Sequence, residues 1–146
     1  MGILDRFRRK RPTLREDIPK ASAWLKEAMT SSGYRLDGSV ESFRELDRFF
    51  EEQMRPGGIL DGQVGSKLFA IGCYMGEVFR ERLGGTWETD DTDPQGEISI
   101  AVRFPDGAVC WPVQRAMKRY QDSEDGLYAY GLMMAEASHD PSTKRA

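Results

Sequence analysis

The sequence predicts an α+β fold in which helices come first, a small antiparallel sheet follows and further helices end the chain. Three observations predict it. Apolar residues recur at helical spacing through residues 40–54 and again through residues 64–83. The period then changes to two over residues 97–104, as in a strand, and helical spacing returns after residue 112. This order of elements is typical of the α+β class.

Length and composition fit one domain. A chain of 146 residues, of which 39% are hydrophobic and 10% aromatic, can bury a core and is too apolar for a disordered protein. We predict a single α+β domain over residues 12–138, preceded by a basic segment at residues 1–11 and followed by a flexible tail at residues 139–146.

The first helix is predicted from Pro19 to Ser32, with Gly33 closing it. Its inward residues would be Ala23, Trp24, Leu25 and Ala28. Ser39 is the predicted N-cap of the second helix. The apolar face of that helix would consist of Val40, Phe43, Leu46, Phe50 and Met54.

The central helix is predicted from about Asp61 to Leu83, with Gly84-Gly85 supplying a left-handed cap. Its apolar arc is wide, as in a helix that is covered on more than one side.

Gly72 and Gly76 lie on this arc, although an interior glycine costs roughly 1 kcal/mol relative to alanine. We interpret them as points of close packing, with the 98–104 strand or Trp87 as the neighbour. A hinge or a π-bulge is the alternative.

The sheet is predicted to centre on a hairpin near residues 97–112, with Trp87 on a third, short strand. The inward residues of the first hairpin strand would be Ile98, Ile100, Val102 and Phe104. The two following helices would begin at Pro112 or Val113 and at Glu124 or Asp125.

The charge is unevenly distributed. The net charge is -3, but residues 1–11 hold five basic residues and one acidic residue, a balance of +4, so the rest of the chain carries -7. Because nucleic-acid binding requires a basic face on the folded domain, we expect no nucleic-acid partner.

The basic segment, MGILDRFRRKR, places bases around three apolar side chains. Its candidate membrane-docking residues are Ile3, Leu4, Phe7, Arg8 and Arg9. A short amphipathic start of this kind can lie on an anionic membrane surface or contact a partner. The alternative is a solvated terminus without such a role.

Groups suited to catalysis or metal binding are few. The one histidine, His139, lies in the polar tail, so the sequence predicts neither a Ser–His or Cys–His pair nor a site with several histidine ligands. Cys73 and Cys110 have neither metal-knuckle nor disulfide-framework spacing, which favours a reducing, cytoplasmic location. We expect no catalytic residue, no metal and no cofactor.

The acidic run WETDDTDPQGE contains three candidate partner-binding residues, Asp90, Asp91 and Asp93. Asp91 and Asp93 begin the spacing of an EF-hand loop, but Val102 occupies the place of the final bidentate glutamate. We therefore interpret the run as a solvated hairpin loop without a calcium site.

Two further charged groups are candidates for partner binding. Glu77 and Arg80 lie on the predicted polar side of the central helix. Arg115, Lys118 and Arg119 would share one face of the helix after the hairpin and bind a phosphate or the acidic surface of a partner. The alternative for both groups is a solvated face with local ion pairs.

The stretch IGCYMGEVFRERLGGTW, followed by a hairpin and WPVQRAMKRY, resembles a widespread family of small uncharacterised bacterial proteins with the pattern G-x-Y-x-G-E-V-x-R-x-x-x-G-G-x-W. The matching residues are Gly72, Tyr74, Gly76, Glu77, Val78, Arg80, Gly84, Gly85 and Trp87. The resemblance covers residues 40–135 and implies the fold but no established activity. Similar small α+β proteins occur as immunity or toxin-neighbourhood proteins, which implies a binding role.

The sequence thus predicts a non-catalytic, cytoplasmic protein-binding module, immunity- or adaptor-like, that contacts another protein through its charged faces. The alternative is a small-ligand-binding or hydrolytic enzyme with a pocket near Glu77 and Trp87. That alternative requires Glu77 to be partly buried beside a cavity.

Overall fold

The computed structural model describes residues 12–60 and 64–137, and its fold is α+β, as predicted. The helices of these residues are α1 (Leu14–Ser31), α2 (Phe43–Gln53), α3 (Gly65–Leu83), α4 (Gly96–Ser99), α5 (Pro112–Gln121) and α6 (Leu127–Ala137), with a 3-10 turn at Val40–Ser42 before α2. The strands are β1 (Thr86–Glu88), β2 (Ala101–Arg103) and β3 (Val109–Cys110), which form an antiparallel sheet in that order.

Helix α1 begins earlier than predicted because Thr13 caps it. The Thr13 hydroxyl accepts a hydrogen bond from the backbone of Glu16, and the Glu16 carboxylate accepts one from the backbone of Thr13. This capping box starts the helix before Pro19, which lies inside it. The buried stripe is Ile18, Ser22, Leu25 and Met29. The inward placement of Ala23 and Trp24 was wrong, since both are exposed.

The second helical segment is capped as predicted. The Ser39 hydroxyl accepts a hydrogen bond from the backbone N–H of Ser42 at 3.2 Å. Phe43, Leu46 and Phe50 are fully buried. Met54, by contrast, is 38% exposed because α2 ends at Gln53 and the chain turns away from the core.

Helix α3 is the centre of the domain and packs against α1 on one side and α5 on another. It ends at Gly84, whose φ of 75° is the predicted left-handed cap. The structure describes it from Gly65 onward, so the predicted start at Asp61 lies outside the described residues. Its Phe79 ring makes edge contacts with the rings of Phe43 and Phe104.

The two interior glycines of α3 are points of close packing, as predicted. A Cβ atom at Gly76 would overlap the indole ring of Trp87. At Gly72 it would lie 2.6 Å from the Cα atom of Val113. The neighbour of Gly72 is therefore helix α5, which the sequence did not indicate.

The predicted strand over residues 97–104 was wrong in its first half. Two hydrogen-bonded turns, Asp90 to Asp93 and Asp93 to Gly96, lead directly into α4, and only Ala101–Arg103 forms a strand. Ile100, Val102 and Phe104 are buried, as the period of two predicts. Trp87 lies on the predicted third strand, opposite Val102.

Helix α5 begins at Pro112, as predicted, whereas α6 begins at Leu127, beyond both predicted positions. The start of α6 is set by a capping residue from a distant part of the sequence. The Asp47 carboxylate accepts hydrogen bonds from the backbone N–H groups of Leu127 and Tyr128, at 2.9 and 3.0 Å.

Candidate functional site

Glu77 is held at the junction of α3 and β1 instead of lying on a solvated face. Its carboxylate accepts a hydrogen bond from Trp87 Nε1 at 2.8 Å and another from Arg80 Nε at 2.8 Å. The side chain is only 17% exposed. Glu77 and Arg80, the first of the two charged groups predicted to bind a partner, thus form a salt bridge with each other. The same carboxylate fixes the indole of Trp87.

The chemistry of Glu77 is that of a structural anion. Burial raises the pKa of its carboxyl, but the hydrogen bonds from Arg80 and Trp87 and the charge of Arg80 outweigh burial, and the pKa lies below its usual value. A general base or acid works best with a pKa near the working pH. This carboxylate is therefore a weaker base than an ordinary glutamate.

A cavity of about 180 Å³ lies beside Glu77. Its lining residues are Pro19, Ser22, Ala23, Lys26, Gly38, Tyr74, Glu77, Val78 and Glu81. Burial raises the pKa of the Tyr74 phenol, whose oxygen accepts a hydrogen bond from Gly38 N–H and shares one with Ser42. The cavity presents polar atoms that could hold a small molecule, and its buried phenol stays protonated.

The acidic loop uses its carboxylates to fix its own shape. Asp90 accepts hydrogen bonds from the backbone and hydroxyl of Thr92, and Asp93 accepts one from the backbone of Gln95. Asp91 accepts one from the backbone N–H of Leu14 at 2.7 Å, which ties the loop to the start of α1. Among the residues that the structure describes, no cluster of three or more acidic, cysteine or histidine side chains is arranged to hold a metal ion.

Asp91 and Leu14, which are joined by this hydrogen bond, form part of the wall of an acidic cleft of about 410 Å³. The residues that line this acidic cleft are Pro12, Thr13, Leu14, Asp17, Asp91, Asp93, Pro94, Gly96 and Glu97. Four of them are carboxylates and none is basic. The loop, α1 and α4 therefore converge on a concave surface of negative charge.

Residues of α3, α4 and α5 line an apolar groove of about 390 Å³. The residues that line this apolar groove are Gly65, Ser66, Leu68, Phe69, Glu97, Ile98, Val113 and Met117. Val113, which lines the groove, is also the residue that contacts the backbone of Gly72 on α3. Since Glu97 lines both the acidic cleft and the apolar groove, the two adjoin.

The predicted basic face of α5 does not exist as one face, because its three residues lie in different environments. Arg119 is only 2% exposed and pairs with Asp47 at 3.0 Å, while its guanidinium lies 5.1 Å from the centre of the Phe50 ring. Arg115 pairs with Asp125 at 3.3 Å. Lys118 is exposed. The assignment of Arg119 to a partner-binding surface was wrong, since its charge is buried inside the domain.

Asp17, Phe69 and Met117 line these two features but were not predicted from the sequence. Asp17 is 74 positions from Asp91, and nothing local in the sequence relates the two. Phe69 and Met117 are apolar residues of α3 and α5, and both are only partly buried at the groove. The candidate membrane-docking residues at positions 3–9 lie outside the described part of the chain.

Comparisons with protein-family models, with curated proteins and with solved structures found no significant match to this chain. The family resemblance of residues 40–135 stays a prediction. Within residues 12–60 and 64–137, no helix has both the length and the apolar character needed to cross a membrane.

Proposed function

We propose that this protein is a non-catalytic, cytoplasmic binding module that contacts another protein through the acidic cleft and the apolar groove. The observation that carries the proposal is that both features adjoin at Glu97 on the short helix α4. Protein interfaces typically combine an apolar centre, into which an anchor side chain fits, with a polar or charged rim.

The chemistry of the surface indicates the kind of partner. The four carboxylates of the acidic cleft favour a segment that carries lysine or arginine, through charge complementarity. The apolar groove favours an aliphatic or aromatic side chain next to those bases. An immunity-like or adaptor role, in which the module binds one partner stoichiometrically, fits this surface.

Three side chains that could take part in catalysis have pKa values shifted toward lower reactivity. Among the described residues, the pKa of Glu77 is lowered and the pKa values of the Cys73 and Cys110 thiols are raised by burial. A carboxylate with a lowered pKa is a weaker base, and a protonated thiol is a weaker nucleophile than a thiolate, which fits the proposed binding role.

The experiment is affinity capture of the tagged full chain from the cells that produce it, followed by mass spectrometry. The cleft variant is Asp17→Lys/Glu97→Lys, and the matched control is Glu27→Lys/Glu41→Lys, which changes the charge equally at exposed positions outside the two features. We expect one protein to be captured with the wild type and the control and to be lost with the cleft variant. Equal capture by all three, or capture of nothing, would refute the proposal.

A second candidate, small-ligand binding, is favoured by the cavity beside Glu77, because the partly buried carboxylate that this alternative requires is present. Native mass spectrometry of the purified protein tests it. A bound small molecule that is lost in Ala23→Trp, which would fill the mouth of the cavity, would favour this candidate over the first. A mass equal to that of the chain alone would count against it.

A further inference from the structure

The apolar groove has a candidate occupant in the chain itself. Its apolar wall includes Phe69, Ile98 and Met117, all partly buried, with Glu97 at its edge. An open groove of about 390 Å³ with such a wall is suited to cover by another apolar group. The carboxylates of the adjoining acidic cleft and the position of residues 1–11 before Pro12 indicate which group would cover it.

The described part of the chain begins at the acidic cleft. Residues 1–11 precede Pro12, which lines the acidic cleft, and the hydrogen bond from Leu14 to Asp91 fixes the first turn of α1 at the cleft wall. The segment therefore continues from the rim of the cleft.

The composition of residues 1–11 complements both features. The segment has a charge balance of +4, and the acidic cleft has four carboxylates. It also carries apolar side chains at Ile3, Leu4 and Phe7. Going backward along the chain from Pro12, the basic residues 8–11 come first and Phe7 comes next. This order matches a path that passes the acidic cleft before it enters the apolar groove.

The length of the segment sets how far its apolar side chains can reach from the acidic cleft. An extended chain spans up to about 3.3–3.6 Å per residue, so Phe7, five positions before Pro12, can lie roughly 17 Å from it. Tethering also raises the effective concentration of the segment to the order of millimolar, which allows even a weak contact to form within one molecule.

We propose that residues 1–11 dock on the acidic cleft and the apolar groove of their own chain, with the bases at the cleft carboxylates and Phe7 in the groove. This inference rests on the proposed function in one respect: the segment would occupy the surface that the partner needs and would have to leave it for binding. Docking itself requires no partner.

The test uses the full chain with a nitroxide label on Gly2→Cys. Cys73 and Cys110 are buried, so the new thiol is labelled selectively. The readout is paramagnetic broadening of the Met117 methyl signal in an NMR spectrum. We expect Met117 to be broadened in this protein, to sharpen in Arg8→Glu/Arg9→Glu, and to broaden again when Asp17→Lys/Glu97→Lys is added to that variant.

A variant that is merely unfolded would not regain the broadening of Met117 when the charges of both the segment and the cleft are reversed. A sharp Met117 signal in the labelled parent protein would overturn the inference. Broadening that disappears when excess unlabelled protein is added would also overturn it, because the segment would then bind a second copy. A sharp signal together with co-sedimentation on phosphatidylserine vesicles would assign the segment to a membrane instead.

The test separates the two proposals because no partner is present. If docking fails, the capture experiment still decides the proposed function. If capture fails while Met117 is broadened, the segment is an internal contact of the domain without a partner to compete with.

Discussion

The indole ring of Trp87 lies directly on the backbone of Gly76, and its Nε1 donates a hydrogen bond to the neighbouring Glu77. A methyl group at position 76 would overlap the ring atoms Cη2 and Cζ2. Strand β1 can therefore approach α3 only because residue 76 has no side chain. The glycine determines how closely the sheet packs on the central helix.

Gly76→Ala is expected to lower the free energy of unfolding by about 1–3 kcal/mol, the usual cost of overpacking a core, even though alanine is the better helix former by roughly 1 kcal/mol. The matched control is Gly65→Ala at the start of the same helix, where an added Cβ has no neighbour within 4 Å. That change should leave the stability equal or raise it. Urea unfolding followed by circular dichroism measures both, and equal stability of the two variants would contradict the packing argument.

Asp47→Asn is expected to lower the free energy of unfolding by about 3–5 kcal/mol, because it leaves the charge of Arg119 buried without its partner. It also weakens the cap on Leu127 and Tyr128. Glu51→Gln is the control, since Glu51 lies 3.9 Å from the same guanidinium but is 69% exposed. It should change the stability by less than about 1 kcal/mol in the same unfolding experiment. Similar effects of the two variants would show that the Asp47 contacts are unimportant.

The contribution of Glu77 to stability should depend on pH. Since the pKa of its carboxyl is lower in the folded chain than its usual value, its contacts stabilise the fold above about pH 4.3 and are lost as the pH falls through the folded-state pKa. The difference in unfolding free energy between the wild type and Glu77→Gln should therefore be largest near neutral pH and shrink in acid. Chemical unfolding at a series of pH values measures this difference. A difference that stays constant into acid would disprove the assignment, and the exposed Glu81→Gln should have little effect at any pH.

The two thiols should be unreactive in the folded protein. Burial raises the pKa of Cys110 to about 11 and raises the pKa of Cys73 as well, so very little thiolate exists near neutral pH. A chromogenic disulfide reagent should modify both cysteines rapidly in denaturant and slowly without it. Fast modification of either thiol in the native protein would indicate that its surroundings open.

The parts of the fold that depend on local chemistry could be predicted from the sequence. The caps at Ser39 and Gly84 and the close packing at Gly72 and Gly76 follow from backbone geometry and helical periodicity. The alternation over residues 97–104 was misleading because its first three residues complete the short helix Gly96–Ser99, which the two preceding turns lead into.

The parts that depend on distant contacts could not be predicted. Arg119 appeared to be a surface base because its partner, Asp47, lies 72 residues away. Asp17 and Asp91 meet at the acidic cleft only after α1 has packed beside the loop. A single sequence contains no local signal for either pairing, so the candidate surface emerged only from the structure.

The most direct test of the central claim is photocrosslinking in the cells that produce the protein, with a photoreactive residue in place of Met117 in the apolar groove and, as the control, in place of Glu27 on the exposed side of α1. The account predicts an adduct from position 117, with a partner protein or with residues 1–11, and none from position 27. No adduct from position 117, or the same adducts from both positions, would contradict it.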